Sequence, residues 1–315
     1  MIQTALSFLD GHKEITLATC EGNLPKLRVF QVMKREGSIN SKKVRTMDRL
    51  ENLKNIIMYL MADEHVSHQI PSSLEERQRM MRALMNVWSS ESIQACLEGR
   101  VATNEDEVNV WEPRPIAEDF LTKQDVELQM QREDKGVVKV HDEGLTIWQG
   151  DITRLKVEAI VNAANAQALG CWAPLHNCID NCIHSAAGIQ LRKECADKMQ
   201  GRLLATGDAF ITQGYNLPAR YVIHTVGPII PDGVPTKEQE ERLAQCYRSC
   251  LDLAEQNGLE SIAFGCISTG VFHFPNEQAA KIAIETVKSY PRHVLKTIVF
   301  NVFLDKDRDI YRQLL

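Results

Sequence analysis

The sequence lacks an apolar run long enough to cross a membrane. Its longest apolar stretch, residues 297–304, holds about eight residues and includes polar members, whereas a membrane-spanning helix needs about 18 or more. The N-terminus also lacks a basic segment followed by an apolar core, so we expect neither a secretion signal nor a membrane partner. These absences predict a cytoplasmic protein.

An excess of basic residues is missing as well. Lysine and arginine total 36 against 42 aspartate and glutamate residues, which gives a formal net charge of −6. Nucleic-acid-binding proteins usually carry a basic surface, so we expect no nucleic-acid partner. The nine cysteines are odd in number and follow no secretion signal, which favours free thiols or metal ligands over a disulfide framework.

What is present is the composition of a folded globular chain. The 315 residues are 44% hydrophobic and 25% charged, which fits about two domains and excludes disorder of the whole chain. Residues 136–315 alternate short β-branched runs with helical patterns. Strands are predicted at 145–148, 159–163, 208–212, 221–225, 261–265 and 297–303, and helices at 180–199, 237–258 and 276–290.

This alternation predicts an α/β fold, a three-layer α/β/α domain with a mostly parallel mixed sheet. Sheets of this kind bind ligands at the carboxyl ends of their strands, so functional residues are expected there.

A helical extension is predicted before the sheet, over residues 48–135. The polar and basic run 38–47 is predicted to be a linker. A helix is predicted to begin after Pro71, with Ser73 as its N-cap and Glu76 as the capping-box partner, and further helical segments lie near 93–97 and 120–130. The methionines of this region are interpreted as core filling rather than as a cofactor site.

Residues 1–37 contain two alternating runs around a Gly-Asn pair, which predicts a β-hairpin. On the residues ATCEGNLPKLRVF the segment resembles the opening of the pyridoxamine-phosphate-oxidase-like flavin-binding split barrels. The likeness ends after about 35 residues, whereas a barrel needs several more strands to close. Two interpretations stay open: a fragment or fusion remnant without flavin chemistry, or a native edge hairpin packed on the neighbouring domain.

Four motifs fall at the predicted carboxyl ends of strands. They are Gly150-Asp151-Ile152-Thr153, Asn162-Ala163-Ala164-Asn165, the stretch 170–188 and Ile267-Ser268-Thr269-Gly270-Val271-Phe272. In this order, as GDITRLKVEAIVNAAN followed by ISTGVFHFP, they resemble the macrodomain family of ADP-ribose-binding proteins from Trp148 to residue 315. The resemblance implies that residues 136–315 form a macrodomain that binds ADP-ribose.

The resemblance also implies a role for each motif. Asp151 would accept a hydrogen bond from the adenine amine beside the backbone amide of Ile152, and Asn165 would contact the distal ribose. The diphosphate would lie against exposed amides in the turn formed by Ser268, Thr269, Gly270, Val271 and Phe272. The alternatives are that Asp151 only caps a turn and that the turn containing Gly270 binds no ligand. Asn162 is predicted to support the loop by hydrogen bonds, and His184 and His224 are predicted to be structural.

One segment departs from the common pattern of the family. The usual glycine run after the asparagine is replaced by residues 170–178, which contain Cys171, His176 and Cys178. Zinc accepts both cysteine and histidine, and three protein ligands leave a fourth position open, as in catalytic sites. With the helical extension, this motif resembles the zinc-dependent macrodomain branch that occurs beside sirtuin-type ADP-ribosyl transferases. One Zn²⁺ per chain is therefore expected, in a catalytic or a structural role.

The resemblance implies a hydrolase that removes mono-ADP-ribose from modified protein side chains. Asp180 would orient or deprotonate the attacking water, and Asn165 would position the ribose hydroxyls. The implied partner is a mono-ADP-ribosylated protein, with a lipoylated carrier protein modified by a sirtuin-type transferase as the candidate. Asp180 can alternatively cap the helix that begins there. Two further functions stay open: a non-catalytic reader of ADP-ribose and a deacetylase of O-acetyl-ADP-ribose.

Overall fold

The computed structural model describes residues 38–63, 68–85, 115–173 and 175–315. Residues 50–315 form one unit, which contains every residue of the predicted site. The hairpin predicted in residues 1–37 and the helical segment predicted near 93–97 lie outside the described residues. Among the helices of the described ranges, none combines the length and the hydropathy needed to span a membrane.

Within the described residues, three helices precede the sheet: α1 (Ser38–Asp63), α2 (Leu74–Leu84) and α3 (Glu118–Lys135). Ser73 caps α2 as predicted, since its Oγ accepts a hydrogen bond of 3.2 Å from the backbone nitrogen of Glu76. Met80 and Met81 are buried in an apolar cluster with residues of α1 and α3. The prediction that the methionines fill a core is therefore confirmed.

Residues 38–47 are helical and form the first part of α1. The polar and basic run contains no glycine or proline, and the next proline along the chain is Pro71. Lysine, arginine and methionine are good helix formers, so a run of this composition can extend a helix. Residue 48 therefore lies inside a helix rather than at the start of one, and the role of 38–47 as a linker stays a prediction.

Residues 136–315 contain the sheet and five more helices. The strands are β1 (Val138–Lys139), β2 (Gly144–Gln149), β3 (Leu155–Lys156), β4 (Ala159–Ala163), β5 (Ala209–Gln213), β6 (Tyr221–Thr225), β7 (Ser261–Phe264) and β8 (Thr297–Val302). The helices are α4 (Ile179–Ala187), α5 (Ile189–Met199), α6 (Lys237–Gln256), α7 (Asn276–Ser289) and α8 (Asp305–Leu314). The six predicted strands are confirmed, whereas the sequence reasoning missed α8.

The six long strands form one sheet in the order β2–β8–β7–β4–β6–β5. Neighbouring strands run parallel, except that the edge strand β5 runs antiparallel to β6. The short strands β1 and β3 pair with each other in a separate parallel ribbon. Because five of the six strands point the same way, their carboxyl ends meet at one edge of the sheet.

Helices cover both faces of this sheet. Along β4, Ile160 faces a cluster with residues of α4 and α5, and Val161 faces a second cluster with residues of α6, α7 and α8. Adjacent residues of a strand point to opposite faces, so a strand that is apolar at both positions belongs in the middle of three layers. The predicted three-layer α/β/α fold is confirmed.

Gly188 divides the predicted helix 180–199 into α4 and α5. Its φ of +105° lies in a region that favours glycine. A Cβ at this position would clash with the amide groups of Gln190 and Gln124. Gln124 belongs to α3, and its Oε1 accepts a hydrogen bond of 3.1 Å from the backbone nitrogen of Ile189. The break in the helix thus lies where α3 packs against the sheet domain.

Candidate functional site

The predicted site residues converge on the edge where the parallel strands end. Asp151 follows β2, Asn165 follows β4, and the phosphate loop, residues 268–272, follows β7. The metal loop, residues 170–178, connects β4 to α4 and therefore begins at the same edge. This arrangement is the one expected for a ligand site in a parallel α/β sheet.

Asp151 is held in a fixed orientation at the end of β2. Its Oδ1 accepts hydrogen bonds from the backbone nitrogen of Thr153 at 3.0 Å and from Thr153 Oγ1 at 2.6 Å. Its Oδ2 lies 3.3 Å from Nζ of Lys135, the last residue of α3, and about a third of the side chain is exposed. Burial alone would raise the pKa of Asp151, but the Thr153 hydrogen bonds and the Lys135 charge outweigh it and lower that pKa. Asp151 therefore caps a turn and also presents a charged oxygen at the edge.

The phosphate loop exposes backbone amides. Thr269 is tied down, since its Oγ1 donates a hydrogen bond of 3.0 Å to the carbonyl of Cys266. In the part of the chain that the structure describes, the amides of Gly270, Val271 and Phe272 donate to no protein acceptor. Unpaired amides in a tight turn form an anion-binding concavity, so the loop can hold a phosphate group.

Ser268 is the buried residue of the phosphate loop. Its φ is +65°, which is rare for serine, and its buried Oγ has no hydrogen-bond partner among the described residues. The side chain fits only because Gly227 lies opposite, where a Cβ would clash with Ser268 Oγ. The sequence reasoning missed Gly227, although its position just after β6 was a signal for a close approach to the carboxyl edge.

Asp180 is buried at the start of α4 and points inward. Its Oδ1 accepts a hydrogen bond of 2.7 Å from Asn162 Nδ2. Burial raises the pKa of Asp180 to about 6, although the Asn162 hydrogen bond and the Arg192 charge both act to lower it. The prediction that Asp180 caps α4 is wrong, because the N-cap is Cys178, whose Sγ accepts from the backbone nitrogen of Asn181 at 3.4 Å.

Asn162 connects Asp180 to a buried histidine. Asn162 Nδ2 also lies 3.1 Å from His224 Nδ1, and His224 Nε2 lies 2.9 Å from Thr212 Oγ1. Burial lowers the pKa of His224 to about 3, so the ring is neutral. Since Asn162 Nδ2 can only donate, His224 Nδ1 accepts, and the ring proton lies on Nε2, which donates to Thr212. Three neutral side chains linked by hydrogen bonds, those of Thr212, His224 and Asn162, therefore fix the orientation of the Asp180 carboxyl group.

The two asparagines of the Asn-Ala-Ala-Asn motif make different contacts. Asn162 was expected to support the loop, but it contacts Asp180 and His224. Asn165 supports the loop instead: its Nδ2 donates to the carbonyl of Gly170 at 3.0 Å, and its Oδ1 accepts from the nitrogen of Ala168 at 3.0 Å. Contact of Asn165 with a ribose stays a prediction.

Cys171, His176 and Cys178 meet in the metal loop. Cys171 Sγ lies 3.4 Å from His176 Nδ1, and the ligand atoms of all three lie within 4.8 Å of one another. A tetrahedral zinc ion with bonds of about 2.0–2.3 Å holds its ligand atoms roughly 3.5 Å apart. The hydrogen bond between the two thiol groups lowers the pKa of Cys171 and raises that of Cys178. The donor set and the spacing both fit Zn²⁺.

Comparison with known proteins assigns the family. The Macro domain family model matches residues 161–283. The chain is 42% identical over 282 residues to a protein-ADP-ribose hydrolase of Staphylococcus aureus (strain MSSA476), an alignment that covers 85% of this chain and 97% of the relative. It is 43% identical over 275 residues to a protein-ADP-ribose hydrolase of Treponema medium, covering 82% of this chain and 96% of the relative. The chain belongs to the macro domain protein-ADP-ribose hydrolase family.

The solved structures agree with this assignment. A mutant of the Oceanobacillus iheyensis macrodomain, solved with ADPR, is 40% identical with a TM-score of 0.50, and the match covers 56% of this chain and 93% of that one. Residues 136–315 are less than three fifths of the chain. The two hydrolase alignments therefore extend beyond the macrodomain into the residues that precede it.

A second group of possible metal ligands lies inside the macrodomain. His184, Cys195 and His224 are buried and have their ligand atoms within 4.8 Å of one another. Both ring nitrogens of His224 already take part in hydrogen bonds, and the pKa of Cys195 is raised, chiefly by burial. His224 therefore has the hydrogen-bonded structural role that was predicted for it. His184 is buried, but neither of its ring nitrogens has a hydrogen-bond partner among the described residues, and its Nε2 lies 3.5 Å from Asp180 Oδ1. The structural role of His184 stays a prediction.

The structure adds supporting residues to which the sequence analysis gave no role. Asn301 of β8 holds the turn before Asp151 through a hydrogen bond of 2.9 Å from its Nδ2 to the carbonyl of Gly150. Asn181 and Arg82 contact the metal loop. Asn301 is a buried polar residue in an otherwise apolar strand, which was a usable signal, whereas Asn181 is buried in a helix that contains other polar residues. Arg82 belongs to α2, and nothing in the sequence around it indicated a contact with the metal loop.

Proposed function

We propose that this protein hydrolyses the bond between mono-ADP-ribose and a modified protein side chain, and that it holds one Zn²⁺ in the metal loop. Water adds at the anomeric carbon of the distal ribose, ADP-ribose gains a hydroxyl group, and the side chain leaves with a proton. The observation that carries the proposal is a buried carboxyl group, Asp180, two residues beyond a complete cysteine-histidine-cysteine ligand set.

The adenosine and diphosphate end provides the anchor in this proposal. The free oxygen of Asp151 accepts from the adenine amine, and the unpaired amides of Gly270, Val271 and Phe272 bind the diphosphate. Both groups lie at the carboxyl edge of the sheet, and the metal loop begins from that edge. A ligand anchored in this way directs its distal ribose towards the loop.

Asp180 is the proposed general base. Its pKa of about 6 leaves the carboxylate charged near neutral pH while keeping it basic enough to take a proton from water. Asn162 fixes the orientation of the carboxylate by its hydrogen bond to Oδ1. Asn165, which holds the first part of the metal loop in place, is proposed to contact the ribose hydroxyls.

Cys171, His176 and Cys178 are the proposed zinc ligands. When bound, Zn²⁺ supplies a Lewis acid that can polarise a ribose oxygen or lower the pKa of a water to about 7. The proposed partner is a mono-ADP-ribosylated protein, and a lipoylated carrier protein modified by a sirtuin-type transferase is the candidate that the family resemblance favours. These finer assignments rest on the ligand spacing and on the resemblance.

The test combines metal analysis with a release assay. We expect about one zinc per purified chain and release of ADP-ribose from a mono-ADP-ribosylated protein, with both lost in His176→Ala. ADP-ribose binding, measured by calorimetry, should persist in that variant because the anchor is intact. His141→Ala, which changes an exposed histidine outside the metal loop, is the control and should retain zinc and turnover.

Three outcomes would change the proposal. Binding of ADP-ribose without any release would favour the reader. Faster turnover of O-acetyl-ADP-ribose than of the modified protein would favour the deacetylase. Full turnover in a zinc-free variant would leave a hydrolase in which the metal has no catalytic part.

A further inference from the structure

The helical extension makes direct contact with the metal loop through Arg82 of α2. Arg82 Nη2 donates a hydrogen bond of 3.0 Å to the backbone carbonyl of His176. The same guanidinium donates to Oδ1 of Asn181 from Nη2 at 3.0 Å and from Nε at 3.3 Å. Arginine donates in fixed directions from a rigid planar group, so it can hold two acceptors in one relative position.

Asn181 continues the contact to the two cysteine ligands. This buried side chain donates from Nδ2 to the carbonyl of Ala173 at 3.1 Å and to that of Cys171 at 3.4 Å. Its backbone nitrogen donates to Cys178 Sγ at 3.4 Å. Arg82 and Asn181 together therefore touch the residues of all three predicted ligands.

A second arginine connects the same elements from the other side. Arg192 of α5 donates to the carbonyl of Met85 at the end of α2 at 2.6 Å, and to the carbonyl of Leu169 at 2.8 Å. Its guanidinium also lies 4.2 Å above the ring of Trp172 in the metal loop. The end of α2 and the metal loop are thus fixed against each other at two places.

We propose that Arg82 and Asn181 are positioning residues that hold the metal loop in the conformation that binds zinc. The helical extension, which contains Arg82, would then contribute to zinc binding. This inference rests on the proposed function. A loop that carries three ligands must be ordered before it can bind an ion tightly, and hydrogen bonds behind the ligands provide that order. The sheet domain supplies the ligand atoms, and α2 supplies part of the frame.

The experiment measures how fast zinc leaves the protein. Full-length wild type, Arg82→Met, Arg82→Lys and Arg132→Met are loaded with Zn²⁺ and mixed with a chelating dye. Arg132 is the matched control, because it also crosses from the extension to the sheet domain, donating to the carbonyl of Asn216 at 3.2 Å. Its acceptor lies outside the metal loop.

We expect Arg82→Met to release zinc about 10–100-fold faster than wild type. Arg82→Lys should fall between the two, because one ammonium group cannot reproduce the fork-shaped contact. Arg132→Met should release zinc at the wild-type rate. The dissociation constant for ADP-ribose should stay unchanged in all of them, which a general loosening of the fold would not allow.

Two results would overturn the inference. One is an unchanged release rate in Arg82→Met, and the other is an equal acceleration in Arg132→Met. If Arg82→Met does not fold, Arg82→Lys decides, since a wild-type release rate there would also count against it. A wild-type protein that binds no zinc would instead contradict the zinc site of the proposed function. Failure of this inference and failure of the proposed function therefore give different results.

Discussion

The candidate site has an aspartate at each end, and the two aspartates lie in opposite surroundings. Asp151 lies at the edge, paired with Thr153 and Lys135, and its pKa is lowered. Asp180 is buried against Asn162, and its pKa is raised to about 6. A carboxylate that is always charged suits recognition of a hydrogen-bond donor, whereas one that titrates near neutral pH suits proton transfer. One residue type can thus serve binding at one end and chemistry at the other.

The supports behind the two carboxylates differ in the same way. The hydrogen bonds of Asp151 come from residues within a few positions along the chain and from the end of α3. Asp180 is supported by Asn162 of β4, and behind it by His224 of β6, in a core where the described side chains carry little solvent exposure. The proposed anchor, Asp151, therefore belongs to a local turn, whereas the proposed base, Asp180, is part of the folded interior.

The largest effect is expected from Asp180→Asn, which replaces the proposed base by a neutral side chain of equal size. Turnover of a mono-ADP-ribosylated protein should fall by about 10²–10⁴-fold, the usual contribution of a general base. The dissociation constant for ADP-ribose, measured by calorimetry, should change by less than about threefold. Wild-type turnover in this variant would remove the distinction between the two aspartates.

The next effect concerns the pH dependence of stability at the buried end. His224 has a pKa of about 3 in the folded protein against 6.5 for an ordinary histidine, so the unfolded chain binds the proton more tightly. Stability that is present above pH 6.5 is therefore lost as the pH falls towards 3. Between pH 6.5, where an ordinary histidine is already half protonated, and pH 5, this group alone should lower the free energy of unfolding by about 1.7 kcal/mol.

The variant His224→Gln should show a smaller loss of stability over that interval. Urea unfolding at both pH values, with a chelator present to remove any contribution of metal binding, gives the two slopes. His184 remains in both proteins, but its pKa is lowered by burial and then by His224, so the difference between the two losses measures His224 together with its coupling to His184. Equal losses in the variant and in wild type would show that His224 is not the group responsible.

An effect of similar size, on affinity rather than on stability, is expected from Asp151→Ala at the exposed end. The loss of one charge-assisted hydrogen bond, about 1.5–3 kcal/mol, should weaken ADP-ribose binding about 10–100-fold. Turnover at saturating substrate should stay close to wild type. Asp197→Ala, which removes an exposed carboxylate paired with Lys193 on α5, is the control. A large fall in saturated turnover with unchanged affinity would mean that the two ends are reversed.

The position of the site could be predicted from the sequence because it depends on strand direction. Once Asp151, Asn165 and Ser268 are placed after parallel strands, they must lie at one edge of the sheet. The spacing of Cys171, His176 and Cys178 is local as well, since only a short loop separates them. Contacts of this kind depend on the spacing of residues along the chain, which can be read directly from the amino-acid sequence.

The supporting contacts could not be predicted because they join residues that are distant along the chain. Arg82 lies 99 positions from Asn181, and Asn162 lies 62 positions from His224. The last helix, α8, was missed for a different reason: charged residues dominate it, and its apolar side is narrow. Only packing against the sheet reveals which of these residues are buried.

The contact between the helices and Ile189 has a practical consequence. Ile189 packs against the apolar cluster of α1, α2 and α3, and Gln190 and Asn216 bond to Asp125 of α3 at 2.8 Å and 2.6 Å. A chain shortened to residues 136–315 for expression would expose the side chains of Ile189, Gln190 and Asn216 to water. The change in amino-acid pattern at residue 136 is thus a poor place to cut, because the physical edge of the folded body lies earlier in the chain.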